Sequence, residues 1–112
     1  MSGGVVETRL SSETLDIHRA LASLQEEMEA IDFYQQRQEL ATDEALKAIL
    51  VHNRDDEMEH ATMLLEWLRR TMPGFDFQMN KLLFTTGGLP ALAKAVKPAV
   101  GVGTGAASGK VK

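Results

Sequence analysis

Glu27, Glu57 and His60 have the side-chain types and spacing to hold a metal ion. Glu57 and His60 stand three residues apart, which on a helix puts a carboxylate and an imidazole on adjacent turns where both can address one ion. They sit in a stripe that reads Leu46, Leu50, Asn53, Glu57, His60, Leu64 and Trp67, and that company predicts burial of both. A carboxylate taken out of water must take up a proton, find a cation or bind a metal, because the uncompensated charge costs several kcal/mol or more. Glu-x-x-His is the pattern that di-iron carboxylate bundles carry on two of their helices, with one further Glu on each of the other two. The segment Gln25 to Glu29 offers Glu26, Glu27 and Glu29 for that role. Glu27 shares a helix face with Ala20, Leu24, Ile31 and Tyr34. Glu26 and Glu29 turn away from that face, toward solvent or a route by which metal approaches. Tyr34, two turns beyond Glu27, brings a phenol as a hydrogen-bond partner or redox neighbour.

The elements that must position these groups are helices. Residues 1–10, with Ser2, Gly3 and Gly4 and no periodicity, read as a flexible leader. Ser11 or Ser12 is a cap, Glu13 and Asp16 follow in the first turn, and Leu21, Leu24, Met28 and Ile31 recur at helical steps, predicting a helix to about Leu40. Thr42 as a cap, with Asp43 and Glu44 as an acidic first turn after it, predicts the start of a second helix that Pro73 and Gly74 end after Arg69 and Arg70. Two helices of about 28 residues, about 40 Å long at the α-helical rise, are joined by so short a turn that they must be antiparallel neighbours. Phe75 to Phe84 reads as a shorter helix or an irregular packing segment. Gly87, Gly88 and Pro90 then break the chain before Ala91 to Val96 attempts another turn. Residues 98–112 hold too little apolar bulk to offset the entropy of ordering and are expected to be a flexible tail. The expected fold is all-α: an antiparallel two-helix hairpin over residues 11–97, with a short C-terminal helix, that dimerises into a four-helix bundle.

Dimerisation follows from the ligand count. One Glu and one Glu-x-x-His are half of a four-helix site, and a two-fold axis supplies the rest, giving two Glu27, two Glu57 and two His60 around two ions. The absence of cysteine leaves only O and N ligands, which suit iron, manganese or zinc. It also removes disulfides and thiol nucleophiles. Residues 13–70 carry 14 of the 16 acids but 6 of the 12 bases, so this body repels nucleic-acid phosphates and attracts cations. No apolar run approaches the roughly 20 residues of a membrane span, and the first ten residues lack the pattern of a secretory signal, so a cytoplasmic setting is expected.

With these residues in place the sequence resembles the encapsulated ferritins, two-helix relatives of ferritin packaged inside protein nanocompartments. The resemblance covers roughly residues 12–90. It rests on Glu26 through Tyr34, on His52 through His60, on Leu65 through Arg70, and on Leu83, Phe84 and Thr85. It implies a ferroxidase centre between two subunits, with Glu27, Glu57 and His60 as iron ligands, Tyr34 beside them, and Glu26 and Glu29 as carboxylates on the path of the incoming metal. It also implies a dimer built into a decameric ring, an encapsulin shell as partner, and Fe(II) and dioxygen as substrates. Phe33 stands where some members carry Trp. The tail from Gly101 to Lys112 departs from the Gly-Ser-Leu-like element of the family's cargo peptide.

Plainer readings stand beside these. Glu57 and His60 make a core ion pair, Glu26 and Glu29 a solvated acidic face, and Tyr34 an amphipathic packing residue. Met28, Met58, Met63, Met72 and Met79 are better read as core fillers than as haem ligands. At the level of function, the alternative to a ferroxidase is a non-catalytic helical cargo or adaptor protein whose bound metal only stabilises assembly. An oxygenase acting on an organic substrate needs a pocket that two helices and a short tail are not expected to enclose.

Overall fold

In the computed structural model, which describes residue 4 and residues 7–95, two long helices carry the candidate ligands. Helix α1 spans Ser12–Leu40. Ser11 is its cap: its hydroxyl accepts the Thr14 amide at 3.1 Å and satisfies one of the first-turn donors. At the other end the Ala41 amide donates to the Arg37 carbonyl. Helix α2 spans Glu44–Thr71. Its cap is Asp43 rather than the expected Thr42: Oδ2 of Asp43 accepts the Leu46 amide at 2.8 Å. A cap bonds the amide about three residues on, and Thr42 lies one residue too early to reach it.

Helices α1 and α2 pack as an antiparallel pair, linked through residues 41–43. Two cross-helix contacts fix the pairing. Arg54 donates to Gln35 Oε1 at 2.7 Å, and His60 on α2 faces Glu27 on α1. The α1 positions turned inward follow 20, 24, 27, 31, 34 and 38, and those of α2 up to Trp67 follow 50, 54, 57, 61 and 64. This is the three-and-four spacing of one face, so Glu27 and Glu57 fall on the contact stripes.

The hairpin conceals little. Among the described residues up to Trp67, only Ala20 and Ala61 are fully buried, while Leu21, Met28, Leu46, Ile49, Met63 and Trp67 remain exposed. Leu46, Ile49, Met63 and Trp67 share one face of α2 with His60. A contiguous apolar face of that kind is a mark of an interaction surface.

The chain divides into two compact units, Met1–Trp67 and Leu68–Lys112. The second carries α3, Pro73–Leu82, and α4, Leu89–Ala93. Pro73 ends α2 as expected and also opens α3, a position where its missing amide costs nothing. Asp76 in the first turn of α3 accepts from Arg69, and Asn80 donates to the Asp76 carbonyl. After α3 the chain turns through Phe84 and Gly87, both at positive φ. The last helix begins at Leu89, two residues before the expected turn. Val96 and residues 98–112, expected to be a flexible tail, lie outside the described residues, as do residues 1–3, 5 and 6 of the expected leader.

Candidate metal centre

The inward stripes of α1 and α2 bring three ligand-type side chains to one point. Among the described residues, Glu27, Glu57 and His60 form the one group of three or more His, Asp or Glu whose ligand atoms lie within 4.8 Å of one another. Nδ1 of His60 lies 3.1 Å from Oε1 of Glu57 and 3.5 Å from Oε1 of Glu27. One helical turn separates Glu57 from His60, so α2 alone sets that pair. Glu27 comes from α1, and only the antiparallel pairing completes the triad.

Three groups of this kind share protons. The hydrogen bond to Glu57 holds the Glu27 carboxyl above its ordinary range, and partial desolvation and the Glu57 charge push the same way. Receiving that bond holds Glu57 below the ordinary range, with His60 adding to the effect. His60 is raised, first by its hydrogen bond to Glu57 and then by the charges of both carboxylates against desolvation. Glu57 is thus the carboxyl that ionises first, while Glu27 and His60 hold their protons to higher pH than they otherwise would. Any proton they hold competes with a cation for the same position. The donor set is two carboxylates and one imidazole nitrogen, suited to a first-row divalent ion.

Burial departs from the expectation. Glu27 and Glu57 are mostly covered, at 24% and 23% side-chain exposure, but the His60 side chain is 47% exposed. The stripe of the sequence spans a wider arc than one neighbouring helix covers. Leu46, His60 and Trp67 lie on its outer edge, while Leu50, Glu57 and Leu64 face inward.

The other expected site residues are not in the cluster. Glu26 and Glu29 lie on the exposed side of α1, as their angular offset from Glu27 requires. Tyr34 is half-buried on the same stripe as Glu27, and the Arg37 guanidinium lies 5.7 Å from its ring and 5.5 Å from that of Phe33. Arg54 had not been singled out in the sequence. It stands one turn before Glu57 on the inward stripe and clamps Gln35, while its guanidinium also pairs with Asp55 at 3.1 Å. The i−3 spacing from Glu57 is the signal that marks it. His52 pairs with Asp56 at 3.2 Å, away from the triad.

The profile of the EncFtn-like family matches residues 5–86, a span that contains the whole triad. The chain belongs to that family. Over 100 residues it is 47% identical to an encapsulated ferritin-like protein of Rhodospirillum rubrum, an alignment covering 89% of this chain and 71% of that one. Over 78 residues it is 54% identical to a ferritin-like protein of Thermotoga maritima, covering 70% and 68%. Among solved structures, the crystal structure of a Nitrosomonas europaea protein is similar at 53% identity and a TM-score of 0.74, covering 77% of this chain and 97% of that one. The EncFtn-like assignment agrees with the all-α, ferritin-like hairpin described above. No helix among the described residues is long and apolar enough to cross a membrane.

Proposed function

We propose that this chain is a ferroxidase that oxidises Fe(II) to Fe(III) with dioxygen at a di-iron site shared by two copies. The convergence of Glu27, Glu57 and His60 within 4.8 Å carries the reading. Fe(II) is the substrate. Two Fe(II) each lose one electron, and those two electrons with two protons convert dioxygen to hydrogen peroxide; four Fe(II) with four protons take it to water. Each hairpin contributes three ligands, so a two-fold dimer holds two irons between six. The half-exposed His60 and the uncovered apolar face around it support a partner at this surface.

In this reading the side chains act in sequence. Glu57, whose carboxyl ionises most readily of the three, is the first anchor for an incoming cation. As the cation binds, any proton held by Glu27 or by Nδ1 of His60 is displaced to water, and the neutral imidazole is fixed by a proton on Nε2. Glu26 and Glu29 form the outer acidic face along which metal approaches, and Tyr34 is the phenolic neighbour. Residues 11–97 are the ferritin-like domain. The homodimer builds a decameric ring and works inside an encapsulin nanocompartment of the cytoplasm, with residues 98–112 as the candidate encapsulation peptide. The name of the Rhodospirillum rubrum relative supports the encapsulated setting.

The test is aerobic Fe(II) oxidation on metal-free protein beside its Glu57→Ala variant, with particle size recorded before and after iron. Turnover that the variant lacks, together with growth in size on adding iron, is the expected result. Oxidation no faster than in buffer would overturn the ferroxidase and leave a helical cargo or adaptor whose metal serves assembly alone.

A further inference from the structure

The second unit contains a buried cation that plays no part in the metal centre. Lys81, near the end of α3, is 5% exposed. Its ammonium donates to the backbone carbonyls of Ala93 and Ala95, both at 2.8 Å. The same nitrogen lies 5.2 Å from the centre of the Phe77 ring, one turn earlier on α3. No carboxylate pairs with it among the described residues. A buried ammonium needs such acceptors, because the desolvation cost is otherwise uncompensated.

The dependence runs the other way too. Helix α4 has five residues, far below the length at which a helix holds itself together in water. At its ends the Leu92 amide bonds to Gly88, Lys94 to Ala91 and Ala95 to Leu92. The carbonyls of Ala93, the last residue of α4, and of Ala95 just beyond it lie where a helix end has no amide of its own to offer them. Lys81 supplies the missing donor to both. Leu89 stays largely exposed and Leu92 is half-buried, so apolar packing against α3 fastens α4 only in part.

We propose that Lys81 is a latch that fastens residues 93–95 to α3 and so fixes the point from which the chain beyond Ala95 departs. With the latch closed, that point is held beside the C-terminal end of α3. With the ammonium removed, residues 93–95 lose this tie, and the nearest remaining bonds back to α3 are those of Leu83 to Met79 and of Thr85 to the Leu82 carbonyl. Lys81 is therefore a positioning residue for residues 93–95, and it acts independently of the metal site.

The test is amide hydrogen exchange by NMR on the full chain, comparing wild type with Lys81→Met, which keeps the stem and removes the charge. The amides of Leu92, Lys94 and Ala95 are expected to exchange at least tenfold faster, while the Leu83 amide, bonded to Met79 at the end of α3, and the amides of α1 change less than twofold. Unchanged exchange at the three α4 amides would overturn the latch, since α4 would then be held by other contacts. Equal acceleration at Leu83 would overturn it as well, since Lys81 would then be a general stabiliser of α3. Phe77→Leu removes the ring and leaves the ammonium, and a few-fold acceleration confined to the same three amides is expected. Should Lys81→Met fail to fold, that second variant decides, and its failure to accelerate them would sink the proposal.

Discussion

Nδ1 of His60 faces Oε1 of Glu57 at 3.1 Å on its own helix and Oε1 of Glu27 at 3.5 Å on the other. One nitrogen thus meets both carboxylates, and a proton on any of the three groups can bridge to its neighbour where no ion does. The carboxyl of Glu27, held above its ordinary range by the hydrogen bond to Glu57, behaves in that state as a donor. A primary amide at the same position donates in the same direction but cannot serve as an anionic ligand.

Glu27→Gln is therefore expected to leave the metal-free fold almost unchanged while abolishing the gain in stability on adding metal. Thermal melts with and without a redox-inert divalent ion such as Mn(II) or Zn(II) check this. The metal-free melting temperature should stay within about 2 °C of wild type, and at saturating ion the wild type should gain several degrees that the variant lacks, as expected for a ligand that binds only the folded state. An equal metal shift in both chains would remove Glu27 from the ligand set.

The pH dependence has a defined sign. His60 is raised above its ordinary value of 6.5 and Glu27 above 4.5. Their protonated forms stabilise the metal-free fold at low pH. That contribution is fully present below the unfolded values and is lost as pH rises through the raised folded values, whereas Glu57, held below its ordinary value, contributes above its unfolded value and loses that only as pH falls. Metal competes with the same protons, so its affinity moves the opposite way. Affinity should climb by about tenfold per pH unit while one proton is displaced, through the range in which His60 titrates, and flatten once Nδ1 is free. Calorimetric titration with Zn(II) in buffers of different ionisation enthalpy counts the released protons, and a pH-independent affinity with no proton release contradicts the assignment.

Asp43 gives a prediction about stability alone. Its carboxylate accepts the Leu46 amide at 2.8 Å at the start of α2. Asp43→Ala should cost about 1 kcal/mol, the usual loss on removing such a cap, whereas Thr42→Ala should cost less than half as much. Denaturant melts at fixed metal content separate the two.

The hairpin was legible in the sequence because its signals are local: caps, acidic first turns, apolar positions at three- and four-residue steps, and Pro73 as a stop. The triad was legible for the same reason, since Glu57 and His60 are tied by spacing on one helix and Glu27 by its face. What the sequence leaves open depends on distance across the chain. Nothing near Lys81 announces that its acceptors are carbonyls 12 and 14 residues on. The clamp of Arg54 on Gln35 spans 19 residues. The exposure of His60 was misjudged because an apolar stripe reports that a face will be covered without saying whether the same chain covers it. One neighbouring helix shields an arc about as wide as Leu50, Glu57 and Leu64, and the rest of the stripe needs something else.

That remaining arc gives the last prediction. Met63 lies one turn after His60, on the same outer edge, and is 60% exposed in the single chain. If a second copy closes over this edge to complete the ligand set, Met63 enters the interface beside the two sites. A lysine there would bury an ammonium with no acceptor, next to incoming cations. Met63→Lys is expected to keep the helical content of the hairpin, because in the single chain the position faces water. It should also shift the protein toward monomer by at least tenfold in dissociation constant and reduce Fe(II) oxidation in parallel. Analytical ultracentrifugation across protein concentration, with and without iron, reads the first effect, and absorbance kinetics at the same concentrations reads the second. The parallel is what matters. Oxidation that survives in a demonstrated monomer would mean that Glu27, Glu57 and His60 of one hairpin suffice, and lost oxidation in an intact dimer would place Met63 near the iron rather than merely in the seam.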